Sequence, residues 1–213
     1  MIRILIKYKF IRYFYVLLRL LILVYFFKRL QSIKETGKSI KCTTERNQKS
    51  LLSLRDCYDG SRSDFFLKKF KKIETLDKIN KIKVLLVGPR NEGEIYNFYS
   101  KGFLMKNITA IDLISYSKKI IKIDADIYLK KCKKKYDLIY FGFVINYFRD
   151  PKKILFLAEK CLNNNGYLIV CAELSRKIKD SRKMEKTIKF KSLKSTKKIF
   201  PRNFAKEIHK NED

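Results

Sequence analysis

The stretch KVLLVGPRNEGEIY, from Lys83 to Tyr96, decides the predicted fold. It opens with a continuous apolar run without polar alternation, which is typical of a parallel strand covered on both faces. A tight turn follows, and Asn91 with Glu94 then resembles a capping box at the start of a helix. We expect this helix to reach Lys101 and to end at Gly102. A strand, a turn and a helix in this order are the first unit of an α/β sheet.

Further apolar segments after this unit predict four more strands. Between the last two of them, Asp150 and Pro151 form an N-cap and a first-turn proline for another helix. The residues therefore predict an α/β fold with a doubly wound, mostly parallel sheet. The four strands begin at Ile108 (ITAIDL), Lys119 (KIIKIDADIY), Tyr136 (YDLIYFGFVI) and Tyr167 (YLIVCAE).

The charge of the chain is strongly positive. Fifty Lys and Arg stand against 21 Asp and Glu, which gives a formal net charge of +29. Such an excess suggests an anionic partner, either a nucleic acid or an acidic membrane surface. Lys, Ile, Asn, Tyr and Phe are all abundant, so a compositional bias is an alternative explanation. Charge alone therefore leaves nucleic acid as an open alternative.

Histidine and cysteine usage argues against metal chemistry. The chain has one histidine, His209, and five cysteines that lack the two-residue spacing of a zinc knuckle or a redox site. A zinc enzyme or a Ser-His-Asp hydrolase needs histidines with partners. We therefore expect no metal site, and scattered cysteines of this kind suit reduced thiols.

The first thirty residues form a separate, apolar segment. From Phe10 to Phe27 only Arg12 and Arg19 are charged, and their spacing of seven places them on one helical face. Such a helix spans a bilayer marginally, lies in the membrane interface, or packs on its own domain. We expect association with an anionic membrane surface, to which the following lysines would contribute. The predicted organisation is a membrane-associated helix over 1–30, a helical connector over 31–81 and the α/β domain over 82–213.

The turn after the first strand indicates which ligand the domain holds. Ligands of such sheets bind at the carboxyl ends of the strands, and Gly88, Asp112 and the Asp124–Asp126 segment follow three of these ends. The turn has Arg90 where a nucleotide loop usually carries its second glycine. Glu92 and Glu94 stand in the first helical turn, where they would repel a pyrophosphate. A cationic, phosphate-free adenosyl compound such as S-adenosylmethionine suits this turn better.

Four segments together resemble class I S-adenosylmethionine-dependent methyltransferases. They are VLLVGPRNEGEIYNF, ITAIDLISYS, DADIY and YDLIYFGFVINYFRDPKKILFLAEKCLNNNGYLIV, within about residues 82–173. The Gly-Pro-Arg loop is similar to that of the methyltransferase type 11-like group. The resemblance implies a Rossmann-like methyltransferase fold. We expect this fold to be shortened at the C-terminus relative to the family and to follow the N-terminal hydrophobic helix.

The resemblance also implies roles for particular residues. Gly88, with Arg90 and Gly93 in the same loop, would let the backbone approach the methionyl part of S-adenosylmethionine. Asp112 would bind the ribose hydroxyls. Asp124 with Ala125 would contact the adenine amino group. Asp126 is the alternative residue for this contact if the alignment with the family shifts in register, and Ile127 would pack on the adenine ring. The chain departs from the family at Leu86, where an acidic residue is usual, and at the missing second glycine.

Three function classes remain open. The first is a membrane-associated methyltransferase acting on a lipid, a glycan precursor or a small metabolite. The second is a catalytically degenerate binding protein with the same fold, and the third is a basic RNA-binding protein or RNA methyltransferase. We expect the first, with the protein on the cytoplasmic side of a membrane and its catalytic domain in the cytosol. The sequence identifies no catalytic base. Methyl transfer needs a base only when the acceptor must lose a proton.

Overall fold

The computed structural model describes residues 8–32, 63, 67, 76–142 and 144–171. Its helices are α1 (Lys9–Leu21, continued by a π-helical turn at Ile22–Phe26), α2 (Leu76–Ile79), α3 (Glu92–Ser100), α4 (Ala125–Lys131) and α5 (Pro151–Lys160). Its strands are β1 (Gln31–Ser32), β2 (Val84–Val87), β3 (Ile108–Asp112), β4 (Ile114–Ser115), β5 (Ile121–Lys122), β6 (Tyr136–Gly142) and β7 (Leu162–Cys171). Short 3₁₀ turns lie at Met105–Asn107 and Ile145–Tyr147.

Within the described residues, the main sheet has the strand order β5-β3-β2-β6-β7, and all of its pairs are parallel. The chain winds outward from β2 through β3 to β5 and then returns to β6 on the other side of β2. This reversal is the switch point of a doubly wound sheet, and it lies where β2 ends. The structure thus confirms the predicted α/β class and the parallel, Rossmann-like sheet.

The central strand β2 explains why the apolar run lacks polar alternation. Val84 and Leu86 belong to the core layer that also contains Phe98 of α3, whereas Leu85 and Val87 belong to the opposite layer, against Leu155 of α5. All four β2 side chains are buried because helices cover both faces of the sheet. Together, these layers hold the carboxyl ends of β2, β3 and β6 at one edge.

Two predicted helix ends are confirmed. Asn91 precedes α3, and its side chain accepts a hydrogen bond from the amide of Gly93 at 2.8 Å. Asp150 precedes α5, and its carboxylate accepts from the amide of Lys153 at 3.0 Å. In both cases a side-chain oxygen satisfies an amide that has no partner within the helix.

A short third strand was predicted within KIIKIDADIY, and the structure has one that is only two residues long. Only Ile121 and Lys122 form a strand, paired with Ile111 and Asp112 of β3. Asp124 instead caps α4, because its carboxylate accepts from the amide of Asp126 at 2.7 Å. The cap satisfies a helical amide and turns the chain away from the sheet.

The N-terminal segment is helical but packs against the α/β domain. Arg12 is 5% exposed and donates to Ser100 Oγ at 2.8 Å, and Val16 and Leu20 are buried on the same side. Arg12 and Arg19 do share one face, as predicted, but their partners are protein groups. None of the described helices combines the length and the apolar surface that crossing a bilayer requires. The predicted membrane-associated, hydrophobic helix is therefore not supported.

The predicted connector over residues 31–81 and the C-terminal residues beyond 171 fall mostly outside the described residues. Where the connector is described, it contacts the domain. β1 pairs with β4 in an antiparallel fashion, and Asn97 of α3 donates to Ser63 Oγ at 2.6 Å. Leu67 is fully buried in the core layer of α3. These contacts link the connector to the same side of the sheet as α1.

Candidate functional site

The Gly88–Arg90 loop begins the site at the end of β2. Gly88 has φ +72°, and its amide donates to the carbonyl of Ile111 at 2.9 Å. A Cβ placed on Gly88 would overlap the side chain of Val144, which follows β6. Both the left-handed backbone and the close approach therefore require glycine at this position. The side chain of Val144 therefore packs directly on the backbone of Gly88, where β2 and β6 end.

Arg90 occupies the position of the missing glycine and keeps a glycine-like conformation. Its φ is +56°, which costs a non-glycine residue about 1–2 kcal/mol. The amide of Arg90 donates to Asp112 Oδ2 at 2.9 Å. This bond holds the loop against β3, so the loop geometry survives without the second glycine. Gly93 lies beyond the loop, in the first turn of α3, and its amide is already bound by the N-cap Asn91.

Asp112 lies at the end of β3, directly beside this loop. Besides the Arg90 amide, its carboxylate accepts from the amide of Ile114 at 3.1 Å. Burial raises the pKa of Asp112, although the amides of Ile114, Arg90 and Leu113 act in the opposite direction. A carboxylate accepts about four hydrogen bonds. The acceptor capacity left over fits the ribose hydroxyls predicted from the resemblance.

The Asp124–Ile127 segment approaches this edge but is arranged differently from the expectation. The amide of Ile123 donates to the carbonyl of Asp112 at 2.9 Å, which brings Asp124 close to the site. The Asp124 carboxylate caps α4, and Ala125 is buried in the hydrophobic core. Ile127 is 48% exposed, which leaves an apolar surface available to a ligand.

Asp126 turns toward α5. Its carboxylate binds Lys130 Nζ at 2.6 Å and Lys153 Nζ at 3.3 Å. The hydrogen bond from Lys130 lowers the pKa of Asp126 against the opposing effect of burial, and Lys153 lowers it further. The structure therefore brings Gly88, Arg90 and Asp112 into one contact group, with Asp124 beside it, and it engages Asp126 with lysines.

The two glutamates of the first α3 turn have different surroundings. Glu92 is fully buried, receives two hydrogen bonds from Arg19 at 2.6 and 3.0 Å, also accepts from Ser117, and lies 3.6 Å from Lys119 Nζ. Burial alone would raise the pKa of Glu92, but Arg19, Ser117 and Lys119 together hold it below the usual value. The charge of Glu92 is compensated inside the protein. Glu92 therefore does not repel a pyrophosphate or favour a cationic ligand, which we had expected of both glutamates.

Glu94 points instead toward the end of β6. A Cβ placed on Gly142 would lie 2.9 Å from Glu94 Oε1 and 3.1 Å from Oε2. The register that pairs Val87 with Phe141 brings Gly88 and Gly142 to neighbouring strand ends. The carboxylate of Glu94 therefore lies at the same edge as the Gly88 loop. The sequence does not predict this orientation, for which the only signal is a second acidic residue in the first turn of α3.

The chain that follows β6 leads from the site into the 3₁₀ turn at Ile145–Tyr147. Phe141 is fully buried and Tyr147 is 37% exposed. Phe143 falls outside the described residues. Among the described residues, no group of three His, Cys, Asp or Glu side chains could hold a metal ion. The arrangement thus places the Asp112 carboxylate at the strand ends, and a carboxylate suits a cationic nucleoside.

Comparison with known proteins identifies a family for this arrangement. Residues 45–188, more than half of the chain, match the family described as 25S rRNA (adenine(2142)-N(1))-methyltransferase, Bmt2. No curated protein matches the chain. The matched range begins within the predicted connector and contains every residue of the candidate site.

This match corrects two expectations and supports a third. The matched family and the parallel sheet agree with a class I methyltransferase, but they do not support the type 11-like group. The expected location on the cytoplasmic side of a membrane is wrong, because the matched family is one that modifies ribosomal RNA. A methyltransferase family of this class implies S-adenosylmethionine as the methyl donor.

Proposed function

The chain belongs to the Bmt2 family of methyltransferases, and from this membership we propose that it transfers a methyl group from S-adenosylmethionine to N1 of an adenine in ribosomal RNA. The observation that carries the proposal is the joint arrangement of Gly88, Arg90 and Asp112 at the switch point of the sheet, within the residues that match the family. The RNA-modifying alternative of the sequence analysis thus replaces the membrane-associated one.

The residues at the strand ends fit the donor. We propose that Gly88, Arg90 and Gly93 contact the methionyl part and that Asp112 accepts hydrogen bonds from the ribose. The adenine would be bordered by Asp124, Ala125 and Ile127. Asp126 would act on this part of the site only indirectly, through its ion pairs with Lys130 and Lys153. The donor supplies a methyl group bound to a positively charged sulfur. The fit rests on the remaining acceptor capacity of Asp112, which accepts from the amides of Arg90 and Ile114.

The chemistry of adenine N1 agrees with the absence of an assigned base. N1 of adenine carries a lone pair and no proton at neutral pH, so it attacks without prior deprotonation. The protein then has to align the acceptor with the methyl group, for which orientation supplies a large part of the rate. N1 lies on the Watson–Crick edge, so the acceptor adenine must be unpaired or flipped out of its helix.

Basic side chains around the carboxyl edge support an RNA acceptor. Lys118 precedes β5 and Lys122 is its last residue, whereas Arg149 and Lys152 lie where the chain enters α5; all four are exposed. They flank the strand ends that carry Gly88, Asp112 and Gly142. Phosphate contacts from such groups position RNA without reading its sequence. Part of the net charge of +29 would then serve to bind RNA and would not result from compositional bias alone.

The direct test is methylation of an rRNA transcript with labelled S-adenosylmethionine, followed by digestion to nucleosides at neutral pH. We expect the label in 1-methyladenosine, and only in transcripts whose target adenine is unpaired. Masking the adenine with a complementary oligonucleotide should remove the signal. Label in another nucleoside, or binding of S-adenosylhomocysteine without any methyl transfer, would contradict the proposal.

We further predict that Arg149→Ala with Lys152→Ala weakens RNA binding in a salt-dependent manner. If each side chain contacts one phosphate of a single strand, the slope of log K against log salt should fall by about 1.4. The matched control is Lys133→Ala with Lys134→Ala, since these exposed lysines lie before β6 at the opposite edge of the sheet. Fluorescence anisotropy over a salt series measures both slopes. Equal slopes for the two double variants would remove the carboxyl edge as the RNA surface.

A further inference from the structure

We infer that the outward face of α1 pairs with the same face of a second copy of the chain. The outward face consists of Phe10, Ile11, Phe14, Leu18 and Leu21, whose exposed fractions lie between 39% and 74%. α1 precedes residues 45–188, the range that matches the family. The inference therefore goes beyond the proposed function and does not depend on it.

The spacing of the outward face is the first argument. Ile11, Phe14, Leu18 and Leu21 are separated by three, four and three positions, which places them within about 80° of the helix circumference. Alternate steps of three and four are the spacing at which one helix packs along another. Val16, on the other side of α1, is already buried against the domain. The outward face thus has the pattern of a second helix-packing surface.

The outward face is also complementary to itself. In an antiparallel pair of α1 helices, a two-fold axis can cross at the level of Val16. Phe14 then lies beside Leu18 of the second copy. In the next layer, Ile11 lies beside Leu21 of the second copy. A two-fold dimer uses the same surface on both copies, so this self-complementarity favours a second copy over an unrelated helix.

The exposed apolar area is large enough for a dimer. Ten large apolar side chains along α1 and its ends are exposed, namely those of the outward face and Tyr8, Ile22, Tyr25, Phe26 and Phe27. At about 100 Å² each, roughly half of a large side chain, they present about 1,000 Å² together. The largest apolar patch on a typical monomer is about 300–600 Å². A standard interface buries about 800 Å² per partner, so the area of α1 meets what a dimer needs.

Charge on α1 does not oppose contact at the outward face. From Phe10 to Phe27 the only charged residues are Arg12 and Arg19. Arg12 donates to Ser100 and Arg19 binds Glu92, so both arginines are directed toward the domain. Pairing of the outward faces therefore buries no unpaired charge from this segment. The net charge of +29 makes two copies repel each other at long range, and salt screens this repulsion.

Sedimentation of the full chain over a salt series tests the pairing. We expect a dimer whose dissociation constant falls as the salt concentration rises, because screening weakens the repulsion while the apolar contact persists. RNA binding has the opposite salt dependence. A chain that sediments as a monomer at every salt concentration would overturn the inference.

Two charged variants test the partner and the register together. Phe14→Glu and Leu18→Lys would each bury unpaired charges in the pair, so each alone should weaken the dimer by at least about 100-fold. When the two variants are mixed, the new carboxylate of one copy faces the new ammonium group of the other, and most of the affinity should return. Both positions are exposed in the single chain, so circular dichroism should show an unchanged fold.

Phe156→Glu is the matched control, because Phe156 is an exposed phenylalanine on α5 and should leave the dimer unchanged. An equal loss in this variant, or no recovery in the mixture, would overturn the pairing. The same conclusion would follow if the chain stayed monomeric and bound anionic vesicles in a manner that Phe14→Glu abolishes, because lipid would then cover the outward face.

Discussion

Replacing Arg19 by alanine is expected to lower the free energy of unfolding by about 3 kcal/mol, near the lower end of the range for breaking a buried ion pair. Arg19 donates two hydrogen bonds to Glu92, whose side chain is fully buried. Without Arg19, the Glu92 carboxylate keeps Ser117 and Lys119 as partners but loses its closest positive charge. Urea denaturation monitored by circular dichroism measures the change.

Two further variants separate the buried charge from the packing of α1. Arg19→Lys keeps the charge but cannot form both bonds, so we expect an intermediate loss. Arg19→Met with Glu92→Gln removes both charges at similar volume, and it should recover most of the stability that Arg19→Ala loses. If the double variant is no more stable than Arg19→Ala, the unpaired carboxylate is not the cause.

The pH dependence gives an independent check of the same pair. Arg19, Ser117 and Lys119 lower the pKa of Glu92 in the folded state against the opposing effect of burial. A lowered pKa means that the folded state favours the ionised carboxylate. Its contribution to stability is therefore complete above the ordinary value of 4.5 and is lost as the pH falls through the lowered folded value. Arg19→Ala should reduce this loss of stability in acid.

The predictable part of the fold is set by local chemistry. The apolar run Val84–Val87 and the caps Asn91 and Asp150 each act over a few residues, and the structure has them as expected. A run such as KIIKIDADIY is ambiguous, because short apolar segments suit either a strand or a helix. The Asp124 cap decides the outcome, and its signal was read as a ligand contact.

The N-terminal segment shows what a sequence pattern does not specify. The spacing of Arg12 and Arg19 predicts a shared face, but it does not say what that face contacts. Ser100 and Glu92 supply the partners from 88 and 73 residues away. The apolar side chains that suggested a lipid environment, such as Phe10 and Phe14, lie on the outward face of the same helix. Only tertiary contacts distinguish these arrangements.

The candidate site likewise has residues that the sequence predicts and residues whose orientation depends on tertiary contacts. Gly88, Arg90 and Asp112 lie at strand ends, and the order of strands brings them together. The orientations of Glu94 and Asp126 depend on Gly142 and on the lysines of α4 and α5, which are distant in sequence or unrelated to any motif. The proposed RNA acceptor was harder to predict, since a diffuse basic surface has no short motif and resembles a compositional bias.

Replacing Asp112 by alanine is expected to weaken binding of S-adenosylhomocysteine by at least about 100-fold, because hydrogen bonds to a charged group contribute about 1.5–3 kcal/mol each. The substitution removes the acceptors proposed for the ribose. It also removes the hydrogen-bond acceptor of the Arg90 amide. Arg90 has a left-handed backbone conformation, which a non-glycine residue adopts at a cost in free energy. Asp112→Asn retains one acceptor oxygen and should bind with intermediate affinity. Calorimetry on both variants gives the affinities.

Asp137→Ala is the control that distinguishes a loss of ligand binding at the site from a general loss of stability. At the opposite edge of the sheet, the Asp137 carboxylate accepts from the amide of Lys83 at 2.8 Å and from the side chain of Asn163 at 2.6 Å. It therefore joins β6 to the start of β2, much as Asp112 joins β3 to the loop after β2. Both variants should unfold at lower urea concentration, but only Asp112→Ala should lose the ligand. Equal losses of ligand affinity would mean that the strand ends around Gly88 do not form the donor site.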